Sequence, residues 1–198
     1  MSLSKRAIWY AHAGSVRTTP LLVGWLSDTG SLTAKLIAHS QRFRVQCLRQ
    51  GRASGLADEM QVLGLPRRVQ VIEREVLLVC DDVPVVFAHT AVPLSCTASD
   101  WPLFKTLGNR SLGTTLFNDP QVRRGALHYA RLQQGHPLVQ RAQRASGCAL
   151  PIQCLARRSL FWRKRGMLLV TEVFLPTLND LLLAHNAPGS INPLGKHK

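Results

Sequence analysis

The 198-residue sequence lacks the features of a membrane-spanning or exported protein. No stretch approaches the ~18 consecutive apolar residues that a spanning helix needs. Near its start, the only apolar run covers residues 7–10, which is too short for the core of a signal peptide. We therefore expect a cytoplasmic protein.

Cysteine is scarce and histidine is scattered, which argues against both a disulfide framework and a structural zinc site. The five cysteines include no C-x-x-C pair, and the seven histidines show neither H-x-x-x-H nor H-E-x-x-H spacing. An odd number of cysteines in a chain without an export signal is typical of reduced thiols. We therefore expect no metal. The cysteines are Cys47, Cys80, Cys96, Cys148 and Cys154.

Glycine and proline are too few for a collagen-like or low-complexity chain, at 14 and 11 residues. Hydrophobic residues make up 45% and charged residues 18%, a balance that excludes intrinsic disorder. Because domains hold ~100 to 200 residues, we expect one globular domain over residues 1–198.

Acidic residues are also few, since 11 of them face 25 lysines and arginines and give a net charge of +14. The excess is regional, because residues 121–165 carry ten basic residues and no acidic one. Three interpretations remain, in decreasing order: a solvated basic face, a field that attracts a small polyanionic substrate, and a nucleic-acid surface. No recognised DNA or RNA motif accompanies the charge, so we expect no nucleic-acid partner.

Two pairs of short helices are predicted, one early in the chain and one near its middle. Thr19 caps a helix that starts at Pro20, and after a turn Ser31 caps a second helix. In the other pair, Ser111 caps the second member. The later predicted helical segments are 100–107, 112–117 and 178–185.

Much of the remaining chain alternates apolar and polar residues with a period of two, which predicts strands. Six strands with inserted helical pairs indicate an α+β class built on one antiparallel sheet. We place the packed core at about residues 18–176 and a mobile polar tail at about 186–198. The first strand begins at Arg42, and the others cover residues 68–80, 84–92, 122–132, 153–163 and 167–175.

Two charged residues are directed toward apolar faces of predicted strands. Arg74 shares one face of its predicted strand with Ile72, Val76 and Leu78. Its guanidinium therefore lies among aliphatic side chains and requires an anionic partner. That partner is either a structural carboxylate or the carboxylate of a ligand. Glu172 is the only charge in its strand. The two residues could neutralise each other, but apolar residues would fill a core at lower cost, which favours function.

Two predicted helix starts, at Leu32 and Leu112, would each present unpaired backbone N–H groups. Such groups attract anions, although every helix has them. A serine cap with solvent beyond it is the commoner explanation.

Several segments, in this order along residues 20–176, resemble the chorismate pyruvate-lyase family, also called 4-hydroxybenzoate synthases. The R-E-V-L-L segment that begins at Arg74 and the T-E-V-F-L-P segment that contains Glu172 are specific when taken together. The other matching segments are L-L-V-G-W-L with G-S-L-T, L-G-N-R-S-L-G-T-T-L-F, and A-R-R-S.

The resemblance implies a monomer whose six-stranded antiparallel sheet is closed by two helical flaps over a buried pocket. It implies an enzyme that splits chorismate into 4-hydroxybenzoate and pyruvate at the start of ubiquinone synthesis, without metal or cofactor. By the same resemblance, Arg74 and the backbone amides of Leu32 and Leu112 bind the aromatic carboxylate. Glu172 faces the ring hydroxyl.

Two positions depart from what the resemblance leads us to expect. His89 stands where an arginine is common, which would reduce secondary charge stabilisation in the pocket, and Leu155 stands where a tryptophan would be unsurprising.

The alternative is a non-catalytic sensor domain, because a similar sheet forms the effector-binding half of certain bacterial transcription regulators. Only about 18 residues precede the first predicted helix, fewer than the ~60 of a winged-helix DNA reader, so we expect the enzyme.

Overall fold

The computed structural model describes residues 6–66, 68–97 and 99–186, which form a sheet with helices on both faces. The strands are β1 (Phe43–Ser54), β2 (Gln70–Cys80), β3 (Val83–Pro93), β4 (Val122–Arg124), β5 (His128–Gln133), β6 (Gln153–Arg163) and β7 (Gly166–Phe174). They pair antiparallel in the order β1-β2-β3-β7-β6-β4, and β5 also pairs with β6. The predicted α+β domain with one antiparallel sheet is confirmed.

The predicted early pair of helices is present and capped as expected. The Thr19 side chain accepts a hydrogen bond from the Leu22 amide, and the Ser31 side chain accepts one from the Ala34 amide. The α-helices are α1 (Pro20–Leu26), α2 (Leu32–Ala38), α3 (Ala57–Val62), α4 (Leu112–Asn118), α5 (Pro137–Ser146) and α6 (Thr177–Asn186). Single 3₁₀ turns cover Ala13–Val16, Leu94–Cys96 and Pro102–Thr106.

Two parts of the predicted pattern were wrong. The single strand expected over 122–132 is divided into β4 and β5, which pair with opposite halves of β6. The break begins at Gly125, whose hypothetical Cβ would lie 2.6 Å from the Trp162 ring, so the chain passes the indole where only glycine fits. Helices α3 and α5 were not predicted, and the segment expected as helix 100–107 is a 3₁₀ turn over Pro102–Thr106.

The sheet is buried on both faces, and the alternation within β2 shows how the chain accomplishes this. Val76 and Leu78 pack in the cluster that contains the residues of α1, α2 and α6. Leu77 and Val79 face the opposite way and pack in the cluster that contains α5. Because central strands covered on both faces carry little polarity, β2 reads as an almost continuous apolar run after Glu75.

The packed core also includes residues outside the range 18–176. Val16 and Ala13 on one side of that range, and Leu178 and Leu182 on the other, are buried in the α1/α2 cluster. The greater part of the predicted tail, residues 187–198, lies outside the described residues. Among the helices that the structure describes, none is both long and apolar enough to span a membrane.

Candidate active site

A cavity lies between the sheet and the first turns of α2 and α4. Its floor is formed by β2, β3, β7 and β6, and the space between the lining residues measures about 590 Å³ including its open mouth. The polar side chains that line it are those of Thr33, Arg74, Thr90, Ser111, Arg124, Arg157, Ser159 and Glu172.

Arg74 projects into this cavity from β2 and is only 2% exposed. Its Nη2 donates hydrogen bonds to the backbone carbonyls of Gly108 and Arg110, at 2.9 and 3.0 Å. The Nε group is buried without a hydrogen-bond acceptor, and no carboxylate of the described residues forms an ion pair with Arg74. The structural carboxylate considered above is therefore absent from the described part of the chain, and the charge remains available to a ligand.

Glu172 lines the same cavity, but its ionic partner is Arg157, directly opposite on β6. Arg157 Nε donates to Glu172 Oε2 at 2.5 Å. The pairing of Glu172 with Arg74, considered from the sequence, is wrong, because the strand order brings β6 next to β7 and leaves β2 one strand further away. Glu172 Oε1 accepts no hydrogen bond from the described residues.

Arg157 also joins the sheet to the first flap, which we define as α1 and α2 with their connecting turn. Its Nη1 donates to three carbonyl oxygens at the end of α1, those of Trp25, Leu26 and Asp28, at 3.1, 3.2 and 2.9 Å. Carbonyl groups at the end of a helix have no intrahelical donor, so the guanidinium satisfies them. Two of the three nitrogens of the Arg157 guanidinium are thus engaged by Glu172 and by the first flap.

The second flap, residues 102–118, meets the first one above the cavity. Ser111 caps α4 by accepting from the Thr114 amide, and its hydroxyl lies 2.8 Å from that of Thr33 on α2. The structure brings Leu32 and Leu112, the first residues of α2 and α4, together at the cavity wall. Their amide groups belong to first turns, which have no acceptor within the helix.

A third arginine, Arg124 at the end of β4, lies at the same cavity. Its Nε donates to the Ser159 hydroxyl at 3.0 Å, and its Nη1 donates to the carbonyls of Thr29 and Gly30 in the first flap at 2.8 and 3.3 Å. The rings of two phenylalanines flank the guanidinium, with centroids 5.5 and 5.4 Å from its central carbon. These rings belong to Phe117 and Phe161.

The four residues named from the sequence, Arg74, Leu32, Leu112 and Glu172, all line this one cavity. Sequence reasoning assigned no role to Arg124 or Arg157. Both belong to the basic segment 121–165, whose excess charge is therefore not only a solvated face. The A-R-R-S segment at 156–159 was a signal for Arg157; Arg124 stands in a strand too short to show alternation.

His89 lies on the opposite face of the sheet, so the expected effect of its departure on charge in the cavity is wrong. Its ring is buried between two carboxylates, with Nε2 3.1 Å from Glu59 Oε1 and Nδ1 3.2 Å from Glu75 Oε1. Burial opposes the charge, but these carboxylates outweigh it and raise the pKa of His89 to about 10. Leu155 packs in the α1/α2 cluster and likewise does not line the cavity.

The donor atoms of Glu73, Glu75 and His89 lie within 4.8 Å of one another, a spacing that a metal ion could use. The cluster already contains its own cations, because Arg141 Nη1 donates to Glu75 at 2.6 Å and to Glu73 at 3.0 Å. Arg49 also pairs with Glu73 at 3.1 Å. Three carboxylates are thus compensated by two arginines and a charged histidine, and the chemistry of the cluster does not call for a metal.

Comparison with known proteins identifies the family of the chain. A family model described as chorismate lyase matches residues 3–181. A probable chorismate pyruvate-lyase of Ralstonia nicotianae is 51% identical over 157 residues, which cover 78% of this chain and 80% of the relative. The similarly named protein of Cupriavidus metallidurans is 49% identical over 179 residues, covering 87% and 82%.

Solved structures show the fold alone. The effector domain of PhnF from Mycobacterium smegmatis superposes with a TM-score of 0.53 at 13% identity, covering 76% of this chain and 91% of that domain. A GntR-family transcriptional regulator from Bacillus cereus superposes with a TM-score of 0.51 at 10% identity, covering 68% of this chain and 92% of that one. On the family match and these relatives, the chain belongs to the chorismate lyase family of enzymes.

Proposed function

We propose that this protein removes pyruvate from chorismate and releases 4-hydroxybenzoate, the first step of ubiquinone synthesis. The observation that carries the proposal is Arg74, a guanidinium that is 2% exposed, donates to two backbone carbonyls and forms no ion pair with a carboxylate of the described residues. An unmatched buried cation is costly, and the planar carboxylate of the substrate ring would match its fork. The amides of Leu32 and Leu112 would add donors to the same carboxylate.

The reaction is an elimination that makes the ring aromatic. The C–H bond at the hydroxyl-bearing carbon breaks and its electron pair enters the ring, while the neighbouring C–O bond breaks and its pair leaves on the enolpyruvate oxygen. The released proton ends on the methylene carbon, which turns enolpyruvate into pyruvate. Because the product is aromatic, the protein has only to orient the ring, stabilise the departing oxygen and exclude water.

Glu172 suits the hydroxyl end of the ring. Its Oε2 is held by Arg157, so its carboxylate is fixed in position, and its Oε1 has no donor among the described residues. It would either accept the proton or orient the hydroxyl while the proton passes directly to the methylene group. We propose that it acts as a monomer. We propose cytoplasmic action without metal or cofactor.

The direct test mixes the purified protein with chorismate in the presence of EDTA and follows 4-hydroxybenzoate by absorbance and pyruvate by a coupled assay. We expect equal amounts of both products. A protein that binds 4-hydroxybenzoate without releasing pyruvate would instead support the sensor alternative, and turnover that is lost with EDTA and restored by a divalent metal would contradict the absence of a metal.

A further inference from the structure

The cavity contains more positive charge than one carboxylate ligand needs. Among the described lining residues, three arginines face a single carboxylate, that of Glu172, which gives a net charge of +2 when all four are ionised. Arg157 forms the ion pair with Glu172. Neither Arg74 nor Arg124 forms an ion pair with a carboxylate of the described residues.

The strand register places these two charges on opposite sides of the cavity. Arg74 on β2 is opposite Thr90 on β3, which is opposite Val170 on β7, which is opposite Ser159 on β6. Three strand spacings separate Arg74 from Ser159, a distance of about 14 Å between backbones. Because Arg124 donates to the Ser159 hydroxyl, it lies at the far end of this row.

The residue rows on either side of the row that contains Glu172 and Arg157 decide where a second anionic group of the ligand can lie. With the ring carboxylate at Arg74 and the ring hydroxyl near Glu172, the neighbouring ring carbon points along the strands in one of two directions. In one direction the next row of residues across the sheet contains Leu78 and Phe174, which are buried and apolar. A carboxylate is costly there, whereas the other direction leads to Arg124.

We propose that Arg124 binds the carboxylate of the enolpyruvyl group of chorismate, an inference that rests on the proposed function. Its Nε and Nη1 are engaged by Ser159 and by the carbonyls of Thr29 and Gly30, whereas its Nη2 donates to none of the described residues. Chorismate is a dianion, so its two carboxylates match the two unpaired cations. After elimination, the carboxylate that Arg124 binds leaves as part of pyruvate. The product 4-hydroxybenzoate keeps only the carboxylate that Arg74 binds.

The test compares one ligand that has the enolpyruvyl group with one that lacks it. In Arg124→Gln, kcat/KM for chorismate should fall by about 10- to 100-fold, the range for a lost charge-assisted hydrogen bond. The Kd for 4-hydroxybenzoate should change by less than about threefold. Arg124→Lys should recover part of the loss. Arg123→Gln is the matched control, because it removes the same charge from an exposed position of β4.

Arg124 also contacts the first flap, and the two measurements separate that role from substrate binding. If Arg124→Gln weakens the binding of 4-hydroxybenzoate by the same factor by which it lowers kcat/KM, the residue acts through the flap and the proposal is overturned. Equal kinetics for Arg124→Gln and Arg123→Gln overturn it as well, while leaving the lyase function intact. Failure of the wild-type protein to convert chorismate would reject the function itself. Thermal melts check folding, and Arg124→Lys carries the comparison if the glutamine variant does not fold.

Discussion

Arg74 shows how a buried guanidinium can be held by hydrogen bonds and still lack a charged partner. Its Nη2 is satisfied by two carbonyl oxygens of the second flap, those of Gly108 and Arg110, which hold the guanidinium in place. Carbonyl groups supply hydrogen bonds but no neutralising charge, and burial lowers the pKa of the guanidinium. An anionic ligand would supply the missing charge and the acceptor for Nε.

We expect Arg74→Lys to weaken the binding of both substrate and product. Lysine keeps the charge but loses the planar fork, which should cost about 1.5 to 3 kcal/mol, or roughly ten- to a hundredfold in affinity. The loss should appear equally in the KM for chorismate and the Kd for 4-hydroxybenzoate. Arg52→Lys, which alters an exposed arginine of β1 that does not line the cavity, should leave both unchanged. A large fall in Tm with normal activity per folded molecule would show a purely structural role.

Glu172→Gln should lower turnover by more than it lowers product affinity. Glutamine keeps the shape and one acceptor oxygen for Arg157, so the flap remains attached, but it cannot accept a proton. We expect kcat to fall by about 100-fold or more if Glu172 is the proton acceptor, with a much smaller change in Kd. Asp119→Asn is the control, since Asp119 forms a similar pair with Arg163, at 2.7 Å, outside this cavity. Equal losses in kcat and affinity would indicate that Glu172 only orients the hydroxyl.

At the scale of elements, β2 has a different chemistry on each face. Arg74 faces the cavity, whereas Glu75 faces a charged cluster in which His89 of β3 and Glu59 of α3 also take part. Arg141 attaches α5 to the same cluster. The cluster therefore joins β2, β3, α3 and α5 directly behind the strand that carries Arg74.

This cluster predicts how stability depends on pH. The pKa of His89 is raised to about 10, so its contribution is complete below its ordinary pKa of 6.5 and is lost as the pH rises toward 10. Hydrogen bonds and charges from His89 and Arg141 outweigh burial and lower the pKa of Glu75 to about 2, so its contribution is complete above 4.5 and is lost as the pH falls toward 2. We expect the free energy of unfolding to be greatest between these limits.

Thermal melts between about pH 6 and 9 test the predicted loss of stability as His89 loses its proton. The Tm of the wild-type protein should fall by several degrees across this interval, and the Tm of His89→Gln should fall less. The slope is the decisive quantity, because the variant is also destabilised at every pH by carboxylates that have lost a partner. Parallel slopes would show that His89 is not charged in the folded protein.

At the scale of the whole molecule, the net charge of +14 acts on a substrate with two negative charges. Arg157 and Arg158 of the basic segment are buried, and we propose that the exposed cations of the segment produce a field that attracts chorismate. We expect kcat/KM to fall several-fold as salt rises from ~0.02 to ~0.5 M, while kcat changes little. A rate that does not depend on salt would assign the charge to solvation alone. Salt-sensitive binding of duplex DNA or RNA, with no lyase activity, would favour the nucleic-acid alternative.

Local patterns determined a large part of the structure. Alternation predicted β6 with the same bounds that the structure shows, and the serine and threonine caps identified the starts of α1, α2 and α4. Period-two spacing also placed Arg74 on the face of Val76 and Leu78. These features depend on neighbouring residues in the chain, so the sequence carries them directly. Helix α5 had comparable signals that were not used, namely Pro137 at its first position and Gly147 after its end.

Only the tertiary structure decided which charges meet. Glu172 pairs with Arg157 and not with Arg74, because the sheet order places β6 beside β7. The same order brings Arg124 to the cavity. His89 is directed away from it, because the register of β2 with β3 sets His89 opposite Glu75. Strand order and register depend on contacts between residues that are far apart in sequence. The alternation of apolar and polar residues within one strand defines its two faces, but it does not specify which strand pairs with it or which face will be covered.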